Sequence, residues 1–436
     1  MLELLKHIKI LLNVVIIFAY ELLLYFMFGN YNNFIYRITH RLSCINMLYV
    51  KFFQAIASNN NLIDEKTNVE LLKFTDKVPW SRNDIRIEEL NDICSKYDLI
   101  LNGKPEEPIN SGMISLVYKG IRKSDNSQVI IKMRRNDIVN RLNDAIENLK
   151  YVIYLLSFIP SIHKYHITEI IDKNVEIIRH QTNFNEEIMN IIEVRNNCKM
   201  LKYVKIPVVY GEVTKYNPNF ILMEYIDGMK MNQIDKQDYY NFAKQVLKFT
   251  LVTSIVHGVA HGDLHSGNIL FIKDETDDKY PYKIGVVDFG IIYRMEASYK
   301  IMLFDFFTNV LKIPVKDTVT NLFNSNIIEP VGIIHQIPKK HYESIINIGV
   351  EVLGEAINNV KKTNQMQIYL FLSKLKDFLN DSELKKYGIR PNENLLKSLF
   401  AMSMGHGVTL TLCDDNIIEL FDTVVNELFH IKILME

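Results

Sequence analysis

Asp263 and Asn268, five residues apart in AHGDLHSGNILFI (260–272), set a carboxylate and an amide just ahead of an apolar run that reads as a strand. A second acid, Asp288, follows in VVDFG, twenty residues after Asn268. Phosphoryl transfer from ATP needs a carboxylate near the acceptor and oxygen ligands for Mg²⁺, which neutralises phosphate charge. Asp263 suits the first role, and Asn268 and Asp288 the second. HxDxxxxN followed by DFG across a hairpin points to that chemistry, with His261 expected to orient the loop through backbone hydrogen bonds.

The same chemistry asks for a lysine on a strand to hold the α- and β-phosphates, and a glutamate to orient it. Lys132 lies inside the apolar run VIIKM, where a lysine must snorkel or find a partner. Glu186 and Glu187, on a predicted helix in NFNEEIMN, are the candidates, with Glu187 favoured. The phosphate-covering loop is less legible. INSGMISLVYKG (109–120) has Asn110, Gly112, Ser115 and Val117 in place of GxGxxGxV. Its position one hairpin before Lys132 identifies it, because its own motif does not.

Together these stretches resemble the UbiB/ADCK family of atypical kinases over roughly residues 40 to 420. In that family an alanine-rich loop replaces the glycine-rich one, and PINSGMISLVY matches it, which implies that Ser111, Gly112 and Met113 lie against the nucleotide. The family's KxGQ motif, on a helix that folds over the active site, is matched by KFFQ: Lys51 and Gln54, with Phe53 in place of Gly. DKVPW (76–80) resembles the segment that follows it, NFNEEIMN maps the orienting glutamate onto Glu187, and GHGVTLTL (405–412) resembles the C-terminal segment. A second family motif, ExD, falls on Gln181 and Asn183, so both carboxylates have become amides. The resemblance implies that Lys51 and Gln54 gate a nucleotide site, and that the protein acts on or for membrane lipids, quinone lipids above all.

Composition narrows the rest. The 436 residues, 48% hydrophobic and 23% charged, can bury a large core, and a net charge of −1 with no basic, aromatic-interleaved stripe argues against nucleic-acid binding. Four separated cysteines (44, 94, 198, 413) read as free thiols facing a reducing compartment. The histidines show no HExxH motif, and His406 in AMSMGHG reads as packing. Residues 10–28, ILLNVVIIFAYELLLYFMF, are nearly all apolar. Their aliphatic and Phe residues favour a bilayer by ~5 kcal/mol and Glu21 opposes by ~3. Asn13, Tyr20 and Glu21 share a helical face, so a helix lying against membrane or protein with that face turned away is as well supported as a span, and membrane contact is expected over a buried core helix.

The expected architecture is α+β: a two-lobed, protein-kinase-like fold with a small β-rich N-lobe, a helical C-lobe and an N-terminal helical extension. Residues 1–30 form the hydrophobic segment, 31–96 the extension with KxxQ, 97–226 the N-lobe and 227–436 the C-lobe. Predicted N-lobe strands are YDLILN, SLVYKGI, SQVIIKM, IPVVYGEVT and FILMEYIDG, with helices over 136–158 and 184–203. The C-lobe is expected to carry a single hairpin, NILFI with KIGVVDFGII. The functional expectation is a Mg²⁺-dependent, ATP-binding atypical kinase or ATPase, membrane-associated, with ATP and a lipid-like molecule as partners. One alternative is a silent nucleotide- or lipid-binding scaffold, favoured by the altered loop. The other is a small-molecule kinase of the aminoglycoside or choline type, which shares HGDLHxGN but lacks the KFFQ extension. Neither the acceptor nor the oligomeric state is legible.

Overall fold

A computed structural model describes residues 2–46, 48, 78–157, 179–310, 312–325, 328–330, 332–363, 387–413 and 416–435. Lys51, Phe53 and Gln54 of the KxxQ stretch lie outside the described residues. Two compact units emerge, residues 1–189 with 207–225, and 190–206 with 226–436. One boundary thus falls between Tyr225 and Ile226, while 190–206, expected in the N-lobe, groups with the second unit.

The first unit opens with a helical hairpin, α1 (Leu2–Phe28) and α2 (Tyr31–Ile45). Gly29, at φ +63°, ends α1 with its N–H on the Tyr25 carbonyl. Asn30 then caps α2 by accepting from Asn33 N at 3.0 Å. Gly as a left-handed stop followed by Asn as an N-cap is the local chemistry of a helix–helix turn. Phe34, Ile38 and Leu42, one stripe of α2, pack on Val14, Ile17, Leu22 and Tyr25 of α1.

Beyond α3 (Ile87–Lys96) the chain builds an antiparallel sheet from β1 (Leu99–Leu101), β2 (Asn110–Ser111), β3 (Ser115–Arg122), β4 (Ser127–Arg134) and β6 (Phe220–Glu224). The β3–β4 turn is closed by Asp125, which accepts from Ser127 Oγ at 2.7 Å, and by Asn126 at φ +58°. That is the residue chemistry a left-handed turn position favours. Strand alternation divides β4 between two cores. Val129, Ile131 and Met133 join Leu116, Tyr118, Phe220 and Leu222 under α3. Ile130 faces the other way, toward Phe184, Ile188, Ile221 and Met223. Helices α4 (Ile138–Ser157) and α5 (Phe184–Asn197) follow β4, and α5 is shorter than the 184–203 expected.

The predicted strand IPVVYGEVT is a correction. Tyr210 N and Glu224 N exchange hydrogen bonds with Leu222 O and Val208 O, so the run follows β6 briefly. At Gly211 it turns into the short helix α6 (Gly211–Tyr216), where Thr214 Oγ1 donates to Phe220 O. The fifth strand is instead the two-residue β2. The stretch just before Pro207 supplies β5 (Val204–Lys205), which pairs in parallel with β9 (Tyr282–Val286) of the second unit.

The second unit is mostly helical. It runs through α7 (Tyr239–Leu251), α8 (Ala297–Asn309), α9 (Val315–Asn324), α10 (Lys339–Thr363), α11 (Glu393–Leu412) and α12 (Ile417–Met435). The expected hairpin is present as β8 (Ile269–Lys273) with β9, but among the described residues it is one of three small ladders. The others are β7 (Val259–His261) with β10 (Ile292–Arg294), and β11 (Ile328–Glu329) with β12 (Arg390–Pro391). The DFG stretch therefore leaves the strand at Val286 and re-enters one only at Ile292. Ahead of β7, α7 widens into a π turn over Val252–His257, closed by Gly258 at φ +75°.

Gly405 shows how α11 supports the loop after β7. A Cβ there would lie 2.2 Å from Thr250 Oγ1 and 3.0 Å from Leu264 Cδ2. Thr250 Oγ1 already donates to Val246 O at 2.9 Å and cannot yield freely. Gly405→Ala is therefore expected to cost about 1–3 kcal/mol in a denaturant melt by overpacking. Gly407→Ala, with nothing within 4 Å of the added methyl, should instead gain about 0.5–1 kcal/mol from helix propensity. Equal effects at the two positions would contradict this packing.

Candidate functional site

In the first unit the strand period puts Lys132 beside Ile130, on the face toward α5, where only Val117 and Ile221 flank it across the sheet. On α5, Phe184 and Ile188 are one turn apart and pack on that face, which leaves Glu187 pointing at the strand. Lys132 Nζ reaches Glu187 Oε1 at 2.6 Å and Oε2 at 2.9 Å, and it lies 5.7 Å from the Phe184 ring centroid. Glu187 is 2% exposed. The structure thus brings together the two residues that spacing alone could only nominate. Glu186, the other candidate, is on the surface and takes hydrogen bonds from Asn183 Nδ2 at 2.8 Å and contacts His180 Nδ1 at 3.0 Å. Asn183 also caps α5, accepting from Asn185 N at 3.2 Å, while Gln181 Oε1 is buried without a hydrogen-bond partner.

The loop before β3 is tightly folded. Gly112 N donates to Ser115 O at 2.9 Å, and Ser111, Met113 and Ser115 are buried. A Cβ on Gly112 would meet Ser115 only at ordinary contact distance, so this glycine is not sterically required. Ser111 Oγ donates to Val78 O at 2.7 Å, and Val78 N donates to Ser111 O at 2.9 Å. The VPW segment is therefore strapped to the loop.

Arg135 completes that strap. Its guanidinium donates to Pro79 O at 2.9 Å and Val78 O at 3.3 Å and lies 3.4 Å from Asp84, while its N–H donates to Ile114 O. Burial pushes the Arg135 pKa down to about 10, partly offset by Asp84, so it stays charged at neutral pH. Asp84 also pairs with Arg141 and caps its own turn through Ser81 N at 2.7 Å. The sequence signal for Asp84 was the S-x-x-D capping box at Ser81. For Arg135, the second residue of an Arg-Arg pair that reads as surface, there was none.

In the second unit the HGDLHSGN loop is held by its own backbone. Gly262 N donates to Ile291 O at 2.9 Å, and a Cβ on Gly262 would lie 2.4 Å from Ile291 Cγ2 and 2.8 Å from Tyr293 Cε2. Only glycine lets this loop approach the strand after DFG. His261 Nδ1 accepts from Asp263 N at 3.1 Å, which places the Asp263 backbone. Burial holds the His261 pKa below its ordinary value against the opposing pull of Asp263 and Asp288, so the ring is neutral and can accept. His265 Nδ1 accepts from Gly267 N in the same way, at 3.1 Å.

Asn268 Nδ2 donates to Asp263 O at 2.9 Å, which fixes the amide with its oxygen available as a ligand. Asn268 O accepts from Val287 N, the residue before Asp288. Asp288 sits at φ +67°, a left-handed conformation rarely adopted outside glycine, and its Oδ1 accepts from Gly290 N at 3.2 Å. Phe289 is fully buried against His261, with ring centroids 5.0 Å apart, and its carbonyl accepts from Asn190 Nδ2 at 2.9 Å. Among the described residues no three His, Cys, Asp or Glu side chains form a metal-holding group. One amide and one carboxylate oxygen instead suit a Mg²⁺ that completes its shell with phosphate and water.

A sheet-rich unit with a buried Lys–Glu pair and a helical unit carrying Asp, Asn and DFG Asp on hairpin-linked loops define a protein-kinase-like α+β protein. The chain belongs to the ABC1 atypical kinase-like domain family, whose model matches residues 75–321, more than half of its length. This is the UbiB/ADCK group. The chain is 21% identical over 270 residues to the probable protein kinase UbiB of Tolumonas auensis, covering 61% of this chain and 49% of that one. It is 24% identical over 300 residues to the chloroplastic protein Activity of BC1 Complex Kinase 8 of Arabidopsis thaliana, covering 65% and 37% respectively. The chain therefore spans half or less of the length of these curated relatives. The solved complex of Rv3197 with erythromycin from Mycobacterium tuberculosis aligns with a TM-score of 0.43 at 13% identity, over 85% of this chain and 91% of that one.

Two outcomes are expected from the site's energetics. Lys132→Met leaves Glu187 charged and buried and should cost about 3–5 kcal/mol, much of it recovered by Lys132→Met with Glu187→Leu. Urea melts of the three proteins check this, and a double variant no more stable than the single would contradict it.

His257, just before the loop, offers a pH test. Neither ring nitrogen has a hydrogen-bond partner, and burial, then Lys300, push its pKa down to about 4. The unfolded chain binds this proton below about pH 6.5, so the native state loses stability as pH falls from there toward 4. Each pH unit in that window costs up to about 1.4 kcal/mol. His257→Gln should flatten this slope in melts taken across the range, and an unchanged slope would rule out the assignment.

Proposed function

We propose that this protein is a Mg²⁺-dependent, ATP-binding atypical kinase or ATPase of the UbiB type, linked to membrane lipid metabolism and in particular to quinone lipids. The observation that carries the reading is the buried Lys132–Glu187 pair, closed at 2.6 Å on a strand and a helix. A desolvated lysine held by one carboxylate has no packing advantage over an apolar residue. It is what a phosphate-holding lysine requires. Lys132 then binds the α- and β-phosphates and Glu187 sets its direction. Asp263, its backbone placed by His261, positions the acceptor hydroxyl or water and takes up its proton. Asn268 and Asp288 hold Mg²⁺, which when bound neutralises phosphate charge. Membership of the ABC1 family, and relatives named as probable protein kinases, support this over a small-molecule kinase.

A silent nucleotide-binding scaffold is the second reading. It is favoured by Ser111, whose hydroxyl is engaged by Val78 rather than offered to a ligand. A thermal-shift titration with ATP tests binding. At one hundred times its dissociation constant a ligand stabilises a fold by ~2.7 kcal/mol. The shift is expected to need Mg²⁺ and to be lost in Asp288→Asn. Phosphate release should then fall by about 10²–10⁴-fold in Asp263→Ala, the range for removing a general base. Binding without turnover in the wild type would select the scaffold, and no Mg²⁺-dependent shift would end the ATP reading.

A further inference from the structure

The helical hairpin of α1 and α2 buries a carboxylate in its seam. Glu21 is fully buried, 2.7 Å from Arg37 Nε and 3.1 Å from Arg41 Nε on α2. It faces α2 along with Val14, Ile17, Leu22 and Tyr25. Of the three residues expected to share an outward face, Glu21 is turned inward while Asn13 and Tyr20 are exposed. The outside of α1 is what remains: Val15, Ile16, Phe18, Leu23, Phe26 and Met27, each at least 50% exposed. At about 100° per residue these six span about 180° of the helix, roughly half its circumference.

That width separates two occupants. A helix-to-helix seam uses a stripe of a and d positions, far narrower than a half-cylinder. A half-cylinder matches a helix sunk lengthwise to mid-depth in a lipid interface. Orientation is set by α2, because the Glu21 clamp and the Phe34–Ile38–Leu42 stripe occupy the other side of α1. Among the described residues no helix is long and apolar enough to cross a membrane. Charge then narrows the lipid. In the first 63 residues the acids are Glu3 and Glu21, against Lys6, Lys9, Arg37, Arg41 and Lys51. Lys9 is exposed, and Arg37 and Arg41 are part-exposed at 34% and 44% beyond their contact with Glu21.

We propose that the α1–α2 hairpin is a monotopic docking foot for an anionic bilayer surface, with the outer half of α1 in the acyl boundary and the α2 arginines and Lys9 at the headgroups. Glu21, the acid within the apolar stretch, is neutralised internally so that its carboxylate does not meet the lipid. This inference does not depend on ATP binding.

Co-sedimentation of the full-length protein with phosphatidylcholine vesicles, with and without phosphatidylglycerol, tests it. The wild type should bind the anionic vesicles more tightly than the neutral ones, and raised salt should remove the difference. Ile16→Glu with Phe26→Glu alters only exposed side chains and should lower vesicle binding at least about tenfold, or ~1.4 kcal/mol, with an unchanged melting temperature. Three results would overturn the proposal. The wild type could stay in solution with both vesicles, or the double variant could bind as well as the wild type. Alternatively, sizing could show a dimer that the double variant breaks, which would make a second copy of this chain the occupant.

Discussion

A lysine and a glutamate taken out of water together are tolerated only if each meets the other at contact distance, and the sheet-rich unit is organised around that demand. Moving such a pair into the interior costs several kcal/mol per ion unless the geometry is close. The pair therefore dictates the register of β4, which must turn Lys132 away from the Val129–Ile131–Met133 face. It also dictates the rotation of α5, which must bring Glu187 between Phe184 and Ile188. A slip of one residue in β4 would send the ammonium into the apolar core under α3. The strand's hydrophobic pattern and its buried lysine thus specify the same register.

The same economy of buried charge recurs in the first unit. Asp84 and Arg135, 3% and 2% exposed, neutralise each other while Arg135 fills the backbone acceptors of Val78 and Pro79. Glu21 is neutralised by two arginines one helical turn apart. In each case the carboxylate meets more than one cation, although Glu21 Oε1, beside Arg41, accepts no hydrogen bond. The consequence at the loop is mechanical. Where a glycine-rich loop owes its position to a mobile backbone, residues 111–115 are held from outside by the 78–84 segment.

In the helical unit the constraint is close approach rather than charge. Gly262 and Gly405 stand where a methyl group would enter Ile291 and Thr250 respectively, so the HGDLHSGN loop is packed between the post-DFG strand and α11. A neutral, buried His261 then serves as an acceptor, and Asp288 adopts a left-handed backbone with its carboxylate accepting from Gly290 N. Strain of this kind persists only where surrounding contacts over-determine it. Phe289, buried on His261 and bonded through its carbonyl to Asn190, supplies them.

The order and identity of the chemical groups could be determined from the sequence by itself, because they are local. HxDxxxxN, DFG, a lysine in an apolar strand and a glutamate on a helix are each legible within a few residues. The β3–β4 hairpin was legible for the same reason, since Asp125 and Asn126 make the turn by themselves. Tertiary structure decided what depends on partners distant in the chain. Residues 206–214 have strand composition, yet the Gly211 turn and the Thr214 bond to Phe220 make the end of that run a helix. Arg135 reads as a surface residue until the carbonyls of Val78 and Pro79, more than fifty residues earlier, enclose it. Glu21 was expected outside because its own helix is apolar, and only α2 supplies the two arginines that bring it in. Local pattern reports what a residue prefers, whereas a buried charge or a forbidden methyl group is settled by what the rest of the chain places against it.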